Sequence, residues 1–187
     1  MARFIMDLVS FSGLLILIYL PIRIIYLLFK KKSVFSWKEL FTLTYVFYMF
    51  SLIFIVWVKN NLHTNYLLYN FIPFKTIVNY FMFDSFKISL LNILGNLVLT
   101  LPLGFYYYFS LRLFNINIIL YSLLIPTIIE FGQLMMYLFK IGMRSVDIDD
   151  IILNSTGILL GYTITKICLS KLNTSKYKNF KNDSEVV

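Results

Sequence analysis

The chain has 187 residues, 59% of them hydrophobic and 19% aromatic, with 14% charged and a formal net charge of +8. An ordinary globular domain carries about 25% charged residues, so this composition excludes a soluble domain; the lysines gather at the ends of apolar runs, which points to membrane orientation and away from a nucleic-acid partner. One cysteine, Cys168, and one histidine, His63, exclude an internal disulfide, a thiolate metal site and a histidine-rich ligand set, and no cofactor is expected.

In chain order, the apolar runs predict an all-α, polytopic transmembrane helix bundle of about five spans, at residues 5–27, 40–58, 88–110, 114–139 and 151–169. Each is long enough to cross a hydrocarbon core of ~30 Å. The first span is too long for a signal-peptide core and no small-residue cleavage site follows, so it is expected to be retained, with Arg23 snorkelling near its end. Lys30, Lys31, Lys32 and Lys38 follow span one, Arg112 follows span three, and Lys171, Lys176, Lys178 and Lys181 follow span five. By the positive-inside rule these regions are cytoplasmic, which gives a multi-pass protein of the cell membrane with its N-terminus outside and its C-terminus inside. Residues 59–87 form a long outer loop rich in Phe and Tyr that should lie in the headgroup interface or re-enter the membrane, with His63 as a surface residue. The expected organisation is a two-span region at 1–62, a three-span core at 63–170 and a polar, disordered cytoplasmic tail at 171–187.

Spans three to five carry polar residues at helical spacing. Ser89, Asn92 and Asn96 fall on one face of span three, and Ser122, Pro126, Glu130, Gln133 and Tyr137 on one face of span four. Asp147, Asp150, Asn154, Gly157 and Gly161 do the same in span five and the turn before it. A carboxylate or amide facing lipid has no partner, so these stripes should face one another. Counted from Lys140, Glu130 lies ~15 Å below the outer boundary. An ionised carboxylate there costs about 2.5–3.5 kcal/mol even on permissive scales, so Glu130 needs either a proton or a cation, for which Arg144 is the candidate. The turn "RSVDIDD" places Asp147, Asp149 and Asp150 ahead of span five; one of them suffices to cap the helix, and three exceed that need. Gly157 and Gly161 suggest close helix packing, and Pro102 and Pro126 suggest kinks. A network that only locks the helices together would account for the same stripes.

The segments "NFIPFKTI" (70–77), "NILGNLVLTLPLGF" (92–105), "IIEFGQ" (128–133) and "RSVDIDDIILNSTGILLGY" (144–162) resemble, in order and spacing, the VanZ-like family. The matching positions are Asn70, Pro73 and Phe74; Asn92, Asn96, Pro102 and Gly104; Glu130 and Gln133; Arg144, Asp147 and Asp150; and Asn154, Gly157 and Gly161. The resemblance covers about residues 66–165 and implies a bacterial integral membrane protein of a family named for low-level resistance to the glycopeptide teicoplanin. The leading expectation is an outward-facing polar pocket of Asn92, Asn96, Glu130, Gln133, Arg144, Asp147, Asp150 and Asn154. Its partners would be membrane lipids, a lipid-linked cell-wall precursor or the glycopeptide itself, with Arg144 as the anion contact. The alternative is a membrane-embedded enzyme using Glu130 with Asp147 or Asp150 on a lipid-linked substrate. A transporter is third, because the chain shows no internal repeat and its polar groups stop midway.

Overall fold

A computed structural model describes residues 2–59, 69–83, 85–110, 117–141 and 145–171. Arg112, Arg144, His63 and the tail beyond residue 171, all named above, lie outside the described residues. Among the described residues the fold is all-α apart from one pair of two-residue strands. Its elements are α1 (Ala2–Phe29), α2 (Trp37–Ile53) continued by a π-helical turn (Phe54–Val58), β1 (Tyr69–Asn70), α3 (Lys75–Phe83), α4 (Phe86–Phe109), α5 (Ile118–Leu138), β2 (Val146–Asp147) and α6 (Ile148–Lys171). Among the described residues, five helices are long and apolar enough to cross a membrane: Arg3–Phe29, Trp37–Val58, Phe86–Phe109, Ile118–Leu138 and Ile148–Ser170. They correspond to the five runs read from the sequence.

The chain divides into two compact units, one of Met1–Tyr66 with Met135–Arg144 and one of Leu67–Leu134 with Ser145–Val187. In the first, Ser36 caps α2, its hydroxyl accepting the Glu39 N–H at 3.2 Å, and this sets Glu39 in the first helical turn. From there Glu39 meets Arg23 of α1 in a two-pronged ion pair at 2.9 and 3.0 Å. Arg23, expected to snorkel, is thus matched by a neighbouring helix. Toward the other end Lys59 pairs with Asp7 at 3.0 Å, and between them the Ser12 and Ser51 hydroxyls bond at 3.0 Å. Phe4 and Phe11 make tilted ring contacts with Phe54, at 6.4 and 5.2 Å between centroids.

The second unit is built around a parallel pair, α4 and α6. A Cβ on Gly104 would collide with the backbone of Ile158 and Tyr162, and one on Gly161 with the backbone of Leu101. Glycine is therefore required at both places, because the two helix backbones touch there. Gly157 seats the same contact against Leu97 and Thr100. Closing the backbones this far lets short side chains bond across: the Thr100 hydroxyl donates to the Asn154 carbonyl at 2.8 Å. On α5, the Ser122 carbonyl accepts the Ser155 hydroxyl of α6 at 2.8 Å.

The aromatic loop has structure that hydropathy did not announce. β1 pairs in parallel with β2, Tyr69 against Val146 and Asn70 against Asp147. A short helix, α3, follows, and Ser89 of α4 donates to the Tyr80 carbonyl near its end at 2.5 Å. Phe71, Ile72, Phe74, Phe81 and Met82 are all exposed. A surface this apolar suits the membrane interface.

Candidate functional site

The site is organised by the turn that starts α6. Asp147 is the N-cap: its Oδ1 accepts the Asp149 N–H at 2.8 Å, answering one of the free donors at the helix start. The same carboxylate accepts Asn70 Nδ2 at 3.0 Å and the Thr76 hydroxyl at 2.6 Å. Asp147's own N–H donates to Glu130 Oε2 on α5 at 3.0 Å. Asp147 and Glu130 are both buried.

Asp149 turns the other way. It is 0% exposed, and its two oxygens take the N–H groups of Phe74 at 2.5 Å, Thr76 at 2.7 Å and Ile77 at 3.2 Å. These are the free donors at the start of α3, so Asp149 caps a helix more than seventy positions earlier in the chain. Asp150, one residue on and about 100° further around α6, faces α4 and accepts Asn96 Nδ2 at 2.7 Å. The three aspartates are therefore accounted for one by one. One caps α6, one caps α3, and one joins α6 to α4.

The segment that receives them is locally primed. Asn70 Oδ1 accepts the Ile72 N–H at 3.0 Å, an Asx turn, and its amide also bonds to Thr76 Oγ1 at 3.0 Å. Pro73 and Phe74 then make the corner, closed by Lys75 N–H to Ile72 C=O at 3.3 Å. Phe74 has φ 65°, a left-handed conformation that costs a bulky residue on the order of 1–3 kcal/mol. The bond from its N–H to Asp149 helps hold it there.

Of the residues expected at the site, the structure brings together Asn96 with Asp150 and Glu130 with Asp147, while Asn154 meets Thr100, which was not expected there, through its backbone carbonyl. Gln133 and Asn154 are buried, Asn96 and Asp150 half-buried, and Asn92 exposed. Glu130 lies level with the start of α6, so the acidic turn sits beside its carboxylate. Sequence reasoning missed Thr76 and the long-range cap made by Asp149. The Asn-x-x-Pro of residues 70–73, a turn signature, was the available signal.

No group of three or more His, Cys, Asp or Glu side chains is arranged to hold a metal ion among the described residues. The family model VanZ/LLP1 matches residues 16–169. The chain belongs to the VanZ/LLP1 family. The match reaches back into α1, where no motif was read, and with five apolar helices it makes the chain a VanZ-like, multi-pass membrane protein. No curated protein and no solved structure matches it.

Proposed function

We propose that this VanZ-family protein contributes to glycopeptide resistance, teicoplanin being the reference drug, by engaging a lipid headgroup or a cell-envelope precursor. The binding groups are Asn92, Asn96, Glu130, Gln133, Arg144, Asp147, Asp150 and Asn154, within a three-span core at 63–170. In this reading the two-span region is 1–62, the N-terminus is outside, the tail at 171–187 is cytoplasmic, and the site opens to the outer leaflet.

The observation that supports it is the Asn96–Asp150 bond at 2.7 Å. It joins two half-buried polar side chains one turn from the exposed Asn92, so polar groups run from the surface into the helix pair. A network used only for locking would have no need of that open edge. Acid–base catalysis by Asp147 is less well supported, because both its oxygens and its N–H are engaged by Asn70, Thr76, Asp149 and Glu130.

Expression of the full chain in a susceptible bacterium should raise the teicoplanin concentration needed to stop growth. Glu130→Ala and Arg144→Ala should each remove that gain at unchanged membrane levels of the protein. Loss of the gain only together with loss of the protein would assign these residues to helix locking and overturn the binding reading.

A further inference from the structure

The connection between α1 and α2 carries more positive charge than its contacts use. From residue 16 to 47 the basic side chains are Arg23, Lys30, Lys31, Lys32 and Lys38, and Glu39 is the one acid. Arg23 holds both oxygens of that acid, at 2.9 and 3.0 Å. The four lysines are exposed, and among the described residues none of them forms an ion pair. Three are gathered by the way α1 ends. The Lys31 N–H bonds to the Leu28 carbonyl at 3.0 Å and the Lys32 N–H to the Leu27 carbonyl at 2.9 Å, which leaves Lys31 in the left-handed region at φ 53°. Glycine is the usual residue there; lysine gives up backbone ease and keeps a charge.

The turn closes onto Leu27, and Leu27 lines a cavity of about 550 Å³, within the ~300–1,000 Å³ of ligand sites. The cavity follows α1 from Tyr19 to Leu27, about 12 Å, with Leu20 and Ile24 on that side and Leu40 and Leu43 of α2 on the other. The charged residues in its lining, Arg23 and Glu39, neutralise each other. Phe35 and Trp37 also line it while 96% and 82% exposed, aromatic side chains of the kind that sit at headgroup level. Membrane orientation accounts for the lysines but not for an apolar hollow at their foot. A hollow open to hydrocarbon is filled by an acyl chain, and basic side chains at its mouth select an anionic headgroup. We infer that the α1–α2 pair binds one anionic phospholipid, with an acyl chain along the cavity and the phosphate among Lys30, Lys31, Lys32 and Lys38. This site is independent of the polar groups of α4 and α6.

The purified full chain in mild detergent is offered equal amounts of dioleoyl phosphatidylglycerol and dioleoyl phosphatidylcholine, and bound lipid is read by native mass spectrometry. One phosphatidylglycerol per chain should be retained over phosphatidylcholine by about tenfold or more, since each lysine near an anionic surface contributes about fivefold. Changing Lys30, Lys31, Lys32 and Lys38 together to Gln should erase the preference. It should leave the thermal midpoint in lipid-free detergent unchanged, because none of the four is in an ion pair among the described residues. Lys31→Gly should lower phosphatidylglycerol retention about fivefold while holding or raising that midpoint, effects that a merely structural role would not separate. Leu40 is 50% exposed and lines the cavity, so Leu40→Trp should fill it and reduce retention of both lipids.

Equal retention of the two lipids, or a preference that survives the lysine changes, overturns the inference. Full retention in Leu40→Trp would show a charged surface with no seat for the chain, and overturns it as well. So does displacement of the lipid by an equal concentration of glycerophosphate, which would mean that the headgroup is held without its chain.

Discussion

The α1–α2 pair and the α4–α6 pair are both made of membrane-length helices, yet they are held by opposite means. In α1–α2 the charged contacts lie toward the ends, Arg23 with Glu39 and Lys59 with Asp7, with side chains 16–45% exposed, and a single Ser12–Ser51 bond lies between them. A cavity of about 550 Å³ opens beside the first of these pairs, lined by Leu20, Leu27, Phe35 and Trp37 among others. In α4–α6 the backbones touch at glycine, and the hydrogen bonds are buried along the helices. Hydrophobicity cannot drive helices together inside lipid, so contact must come from close packing and internal polar bonds. The second pair has both. That makes it the firm scaffold on which a polar site can be held, while the first pair is joined mainly by charges near its ends.

The largest expected difference between the pairs concerns glycine. Gly161→Leu should abolish folded protein, because even a Cβ meets the Leu101 backbone, whereas Gly13→Leu in α1, where a Cβ meets nothing within 4 Å, should leave the melting temperature in detergent nearly unchanged. Equal tolerance at both positions would erase the contrast. Next in size is Asp149→Ala, which strands three N–H groups at the start of α3. At about 1–3 kcal/mol for each buried group left unpaired, it should lower the melting temperature and open residues 69–83 to protease, while a neutral outcome would mean that the cap is dispensable. The smallest effect belongs to Glu39→Gln. The Arg23–Glu39 pair is partly exposed, so its loss should cost about 1 kcal/mol or less and less still in high salt. A cost that ignores salt would show the pair to be better shielded than its exposure suggests.

Periodicity made the scaffold legible and left its clasp hidden. Asn92, Asn96, Asp150, Asn154, Gly157 and Gly161 advertise themselves by helical spacing, and the meeting of Asn96 with Asp150 follows from placing two polar stripes in lipid. Nothing comparable marks the partners of Asp149, which are backbone N–H groups of Phe74, Thr76 and Ile77. Any residue except proline offers such a donor, so the pairing has no side-chain signature. Phe74 further disguised the corner, since a left-handed position is ordinarily announced by glycine or asparagine.

The Asp149 clasp also fixes an order of events during synthesis. The Phe74 amide leaves the ribosome 75 residues ahead of the carboxylate that will hold it. At roughly 5–20 residues per second, that is a wait on the order of 4 to 15 seconds. Throughout it the start of α3 lacks its cap, and the corner at Phe74 has only its local bonds, the Asn70 turn and Lys75 N–H to Ile72 C=O, to keep it bent. Only synthesis of the turn that starts α6 brings the missing piece, so the earliest part of the polar region waits on one of its later parts.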